Sequence, residues 1–322
     1  MKILNLQILV AVISFGVLQS SCHSVNDTQV IVQAHRGGAA LYPENTIPAM
    51  INAVKIGTKT LELDLQITRD SQVVVSHDSY LNSMKALFLD GSSIPKELES
   101  KLQIYNLDYD SICQFDVGTL KTPLYPSRKN LYCVIPTLTN LIDCVESYTS
   151  SRGLEPVNYN IEIKSGVEKD EKITPAYQTF CDLSLRVLLG KNIKSRLCIQ
   201  SFDSRTLNYI HQKYPGISLS YLVEETDVTV STLLKKLDFV PDIISPLHSI
   251  VDDKFVSEAH DYAMKVIPWT VDTQEEVLRL KAIGIDEIIT NIPDSVQSWL
   301  AMDGNKTKYM KAVEFFENLM GY

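Results

Sequence analysis

The stretch TLELDLQITRDSQVVVSHD, residues 60–78, decides the fold. Leu61, Leu63 and Leu65 alternate with Glu62, Asp64 and Gln66, the period-two pattern of a strand with two unlike faces. Val73, Val74 and Val75 begin a second strand-like run. Only Arg69 to Gln72 separate the two runs, far too few residues for a parallel crossover. The runs must form an antiparallel hairpin. A turn centred on Asp70 and Ser71 sets Asp64 opposite His77.

The hairpin resolves the strand count. Further strand-like runs end at His35, Lys164, Phe202, Val223, Pro246, Asp272 and Asn291, and helix-like segments lie between most of them. Several runs are almost continuously apolar, as parallel strands buried on both faces must be. Alternation of this kind gives an α/β fold with a parallel sheet. Setting aside the second arm of the hairpin leaves eight parallel strands, the number of a TIM (β/α)8 barrel. No Gly-x-Gly-x-x-Gly follows any strand, so the doubly wound dinucleotide-binding alternative lacks its fingerprint. Residues 79–134 follow neither period and read as an insertion at the barrel mouth.

Composition sets outer limits. The 322 residues are 45% hydrophobic and carry a net charge of −9. No long basic cluster is present, which argues against a nucleic-acid partner. Residues 1–22 read as a secretory signal: Lys2, an apolar run, then small residues before Cys22. A lipid on Cys22 would make this an exported, membrane-anchored lipoprotein, with plain secretion as the alternative. Gln19 stands where such signals usually carry Leu, with Leu18 one place earlier. Residues 23–29 form a linker, residues 30–322 the barrel, and residues 305–322 an amphipathic terminal helix. Past the signal, Cys113, Cys133, Cys144, Cys181 and Cys198 are odd in number and include no Cys-x-x-Cys. Cys113 and Cys133 can pair in an exported protein, or serve as small buried hydrophobes.

Active sites of such barrels sit at the C-terminal strand ends. There the sequence places His35 and Arg36, followed by Gly37 and Gly38, which allow either close backbone approach to a ligand or a tight turn. Glu62 and Asp64 share the face opposite three leucines, hence the barrel interior. Two buried acids repel unless a cation sits between them. Glu162 and Lys164 repeat the pattern on the next parallel strand. Three carboxylates are a hard, all-oxygen donor set for Mg2+ or Ca2+. His77 returns beside the acids through the hairpin, or pairs only with Asp78. Gln200 and Ser201 either bind a ligand or finish a strand, and Trp269 either stacks on a substrate or fills the core. His211, His248 and His260 fall in helix or loop positions away from this set. Phosphoryl chemistry suits the collection. A cation, Arg36 and Lys164 neutralise phosphate oxygens, while two histidines serve as general base and general acid.

The motifs AHRGG…PENT, LELDLQITRDSQVVVSHD, IEIKSG, IQSFD, PWTVD and GIDEIITNIPD, in this order, resemble the glycerophosphodiester phosphodiesterases from about residue 30 to about residue 300. The resemblance implies a TIM barrel, a divalent cation (Ca2+ or Mg2+) and hydrolysis of a small-molecule glycerophosphodiester to sn-glycerol 3-phosphate and an alcohol. It implies His35 and His77 as the acid/base pair and Glu62, Asp64 and Glu162 as metal ligands. Arg36 and Lys164 match phosphate contacts. It further implies a route in which a glycerol hydroxyl attacks first and water then opens a cyclic phosphate. Asp272 stands where the family usually has Asn after Trp-Thr-Val. Two other readings stand beside this one: a phospholipase D-like or lyase activity on lysophospholipids, and a non-catalytic surface-binding lipoprotein.

Overall fold

The computed structural model describes residues 30–304. The signal and lipid anchor expected at residues 1–22, the linker at 23–29 and the terminal helix at 305–322 lie outside the described residues. In chain order the strands are β1 (Ile31–Ala34), β2 (Thr60–Ile67), β3 (Val73–Val75), β4 (Leu87–Phe88), β5 (Phe115–Asp116), β6 (Asn158–Ile163), β7 (Leu197–Ser201), β8 (Ser218–Val223), β9 (Ile243–Pro246), β10 (Lys265–Val266) and β11 (Glu287–Thr290). Eight are parallel and run in the order β10-β9-β8-β7-β6-β2-β1-β11. The ring is drawn shut where Asp286 N–H donates to Val266 O at 3.1 Å and Ile289 N–H to Pro268 O at 3.0 Å.

Helices follow the strands as the alternation predicts. Six begin on a capping side chain: Thr46, Thr137, Asp203, Thr229, Asp252 and Thr273 each accept a backbone N–H of the first turn. The layer between strands and helices holds most of the apolar core. Leu61, Leu63 and Leu65 are fully buried there with Met50, Leu141, Ile161 and Phe180. Glu62 and Asp64, on the other face of β2, turn into the barrel and are only 1% exposed. This is the inward orientation expected from the leucine alternation.

The hairpin is present, but its register differs by one residue from expectation. Leu65 pairs with Val75 and Ile67 with Val73, so Asp64 lies across from Ser76 rather than His77. The cause is the turn. Thr68 N–H donates to Gln72 O at 3.0 Å, closing a loop of three residues, 69–71, with Ser71 in the left-handed region at φ 61°. An odd loop of this kind is a standard hairpin connection. An even, two-residue turn shifts every pair by one.

The insertion is more organised than its pattern suggests. β4 pairs antiparallel with β5, and short helices span Lys96–Glu99 and Tyr109–Ile112. Leu81, Ile94, Ile104, Ile112 and Phe115 gather around Val74 of β3 as an apolar cluster of their own. Cys113 and Cys133 are both free thiols, and Cys133 is buried, which favours the small-hydrophobe reading over a disulfide.

Candidate active site

β1 ends in a tight turn that carries His35 and Arg36. Arg36, Gly37 and Gly38 all have positive φ, at 53°, 81° and 90°. A Cβ on Gly37 would come within 2.9 Å of the Ala49 backbone carbon, so this glycine lets the turn pack on helix Ile47–Lys55. The tight-turn reading of Gly37 therefore holds. The turn aims the Arg36 backbone N–H at Glu62 Oε2, 2.7 Å away.

Glu62, Asp64 and Glu162 converge because β2 and β6 pair in parallel with Asp64 beside Glu162. Each offers a carboxylate oxygen, and the three oxygens lie within 4.8 Å of one another. Burial pushes the Glu62 carboxyl well above its usual range, and the nearby charge of Asp64 adds to this. Burial acts on Asp64 in the same direction, but Lys164 and Arg36 outweigh it and hold that carboxyl well below the usual range. Burial also raises Glu162, against the pull of Lys164. Lys164 Nζ lies 2.8 Å from Glu162 and 3.3 Å from Asp64. Burial and mutual repulsion thus disfavour the charged forms of two of the three acids, a cost that added positive charge would relieve. The donors of the trio fit a hard divalent cation.

His35 and His77 approach this cluster from two sides. His35 Nε2 lies 4.0 Å from Glu62 Oε2, while its Nδ1 lies 2.7 Å from Asn291 Oδ1. Burial, then the Arg36 charge, push the imidazole down to about 4. His77 Nδ1 lies 2.7 Å from Asp78 Oδ1, so the expected alternative pairing is present. It does not remove His77 from the site. Both histidines line one cavity of about 230 Å³ together with Arg36, Lys164, Trp269 and the acids Glu62 and Glu162. An adjoining groove of about 590 Å³, bordered by the insertion, shares His77 and Lys164 with it. Trp269 sits edge-on to Phe202, centroids 5.5 Å apart, and donates from Nε1 to Ser245 O at 2.8 Å. Gln200 points inward and donates to Glu62 Oε1 at 2.9 Å. His248 bonds Glu276, His260 bonds Asp286 and His211 stacks on Phe239, away from the cavity as expected.

Three supports were not legible as such. Asn291 directly follows β11 and holds His35, and only its place at a strand end hinted at this. Lys85 of the insertion bridges Glu44 and Asp78 at 2.9 Å each, and Glu44 in turn holds Arg36 at 3.2 Å. This ionic chain joins the surroundings of the two histidines. Deeper in the barrel, amides form a line: Gln33 donates to Glu287 at 2.8 Å, and Asn160 donates to Gln33 at 2.9 Å and to Gln200 at 3.0 Å.

A closed (β/α)8 barrel with acids, histidines and cations at its C-terminal mouth defines a class: a TIM-barrel enzyme built to act on a phosphodiester. The sequence profile of the Glycerophosphoryl diester phosphodiesterase family matches residues 35–295. The chain belongs to this family. It is similar to a glycerophosphodiester phosphodiesterase of Caldanaerobacter subterraneus, 24% identical over 268 residues, covering 83% of this chain and 96% of that one. It is 41% identical over 277 residues to lysophospholipase D GDPD1 of Homo sapiens, covering 83% and 85% of the two chains. Among solved structures, an Oleispira antarctica phosphodiesterase in complex with the product sn-glycerol-3-phosphate superposes with a TM-score of 0.66 at 24% identity, covering 84% and 96%.

Proposed function

We propose that the chain hydrolyses glycerophosphodiesters to sn-glycerol 3-phosphate and an alcohol, with His35 and His77 as acid/base pair and a divalent cation on Glu62, Asp64 and Glu162. The observation that carries this is one cavity lined by both histidines and by Glu62 and Glu162, whose carboxylates cluster with that of Asp64. Mg2+ or Ca2+ held by the three carboxylates would neutralise charge on the non-bridging phosphate oxygens. Arg36 and Lys164 bind the same phosphate from the cavity wall. His35, buried and neutral, takes the proton from the attacking hydroxyl. His77 borders the outer groove, where the leaving group would lie, and gives its proton to the departing alkoxide. Trp269 and Phe202 form the apolar wall against which the glycerol carbons rest.

The test uses the chain lacking residues 1–22. Glycerol 3-phosphate release is followed from glycerophosphocholine and glycerophosphoethanolamine, with added metal or with chelator. Release that stops on chelation and returns with Mg2+ or Ca2+ supports the proposal. No release from either headgroup with metal supplied rejects it.

A second reading, action on lysophospholipids, draws on the rim. Among the described residues, the four most exposed large apolar side chains, Met84, Leu124, Val167 and Tyr132, are 61–81% exposed. All lie on the insertion or the loop after β6, at the mouth end of the barrel. Apolar side chains exposed on these loops offer contacts to an acyl chain. The relative from Homo sapiens named a lysophospholipase D agrees with it. Lysophosphatidylcholine turned over faster than glycerophosphocholine at equal concentration favours this reading. Together with the signal-like N-terminus, it fits an exported enzyme tethered at a membrane by lipid on Cys22. Loss of palmitate labelling in Cys22→Ser tests the tether.

A further inference from the structure

We propose that Asp272 is a positioning residue that acts through Asn291 to fix the tautomer of His35. The proposal rests on the reading of His35 as the base. Asp272 Oδ1 accepts from Thr290 Oγ1 at 2.9 Å and from the Asn291 backbone N–H at 2.8 Å. Thr290 Oγ1 itself accepts the Ile292 N–H at 3.1 Å, so its hydroxyl proton points to Asp272. Asp272 Oδ2 accepts from Asn291 Nδ2 at 2.6 Å. With donors on every side, the carboxylate can only accept.

Donor and acceptor counting then leaves no freedom. Asn291 must turn its NH2 to Asp272, which leaves its Oδ1 facing His35 Nδ1 at 2.7 Å. An amide oxygen cannot donate, so the neutral ring carries its proton on Nδ1. Nε2, turned toward the acid cluster and the cavity, keeps its lone pair. Asn291 is 7% exposed, too buried for water to replace either partner at little cost. Asp272 never touches the cavity, yet it decides which nitrogen of His35 can accept a proton there.

Two substitutions separate this role from simple anchoring of the strand end. In Asp272→Asn, Thr290 and the Asn291 N–H still need an acceptor, so the new amide aims its NH2 at the NH2 of Asn291. The clash is relieved when Asn291 turns over and offers NH2 to His35 Nδ1, which selects the Nε2–H tautomer. In the exchange Asp272→Asn/Asn291→Asp, the single hydrogen bond between these two side chains reverses direction. The carboxylate now at position 291 accepts both from the amide at position 272 and from His35 Nδ1–H, and the original tautomer returns.

The experiment is 15N NMR of histidine-labelled chain at neutral pH, with steady-state kinetics on glycerophosphocholine at saturating metal. His35 is identified by its absence from His35→Ala. The expected result is Nδ1–H in the wild type, Nε2–H in Asp272→Asn and Nδ1–H again in the exchange. Turnover falls about 10-fold or more in the single variant with KM within about two-fold, and the exchange recovers most of it. An unchanged tautomer in Asp272→Asn, or an exchange no better than the single variant, overturns the proposal, and unfolding temperatures show whether either variant is merely unstable. A wild type with the expected tautomer but no turnover would reject the functional reading and leave the positioning role standing.

Discussion

Asn45 clasps Asp64 at both ends: its Nδ2 donates to Oδ2 at 2.8 Å, and its Oδ1 accepts the Asp64 backbone N–H at 3.2 Å. Asn45 reaches this position from a left-handed backbone, φ 59°, a conformation that Asn tolerates better than most residues. One side chain thus fixes both the strand and the carboxylate of a proposed ligand. Asn45→Ala is expected to weaken Mg2+ or Ca2+ binding by about 10- to 100-fold, the usual effect of losing a group that orients a ligand. Isothermal titration with either metal measures it. Unchanged affinity would show that Asp64 needs no such support.

His35→Ala and His77→Ala are each expected to reduce turnover by about 10²-fold or more. Metal affinity should change far less, because neither ring belongs to the acid trio. Rapid-quench measurement of the chemical step distinguishes the two effects. Full activity in either variant removes that residue from its role.

Lys164 is the ion-pair partner of both Glu162 and Asp64. The ammonium and a divalent cation therefore compete for the same oxygens. Lys164→Met should bind Mg2+ or Ca2+ more tightly than the wild type, yet turn over substrate more slowly, because the phosphate loses a counter-charge. Titration calorimetry and kinetics on one preparation read both directions. Weaker metal binding in the variant would contradict the competition.

Glu276 accepts from Arg279 and lies beside His248. The Arg279 hydrogen bonds, and then His248, push its carboxyl down to about 2 despite some burial. A carboxylate depressed in the folded state stabilises the fold above its unfolded value, about 4.3, and that contribution fades as pH falls toward about 2. The wild type should lose thermal stability across this acid window more steeply than Glu276→Gln. Parallel melting curves over that range measure the difference, and identical slopes would count against the pairing.

The sequence announces those features that depend on alternation. Leucines on one face of β2 force Glu62 and Asp64 inward, and the short hairpin sets aside one strand of nine. What escapes it depends on single backbone angles and on closure of the ring. The left-handed Ser71 moved the hairpin register by one residue, which no residue pattern reveals. Asn291 meets His35 only because β11 pairs with β1 across 256 residues of chain. Asp272, noticed only as an unusual residue after Trp-Thr-Val, acquires its meaning from the same closure. The amides of Gln33, Asn160 and Gln200 lie far apart in sequence, and only the barrel interior brings them into line. Lys85 lies in a segment with no periodic signal at all.

The insertion keeps its own apolar cluster and meets the barrel at Val74 of β3, while His35, Arg36, the acid trio and Lys164 hang from β1, β2 and β6, and His77 follows β3 at the seam between the two. Roof and chamber are therefore separately braced. Sequence drift in the roof can reshape which molecules are admitted while the chemistry below stays intact. Lys85 and Asn82 are exceptions: both bond Asp78, the partner of His77, and Lys85 also holds Glu44, so drift at either would be felt in the chamber.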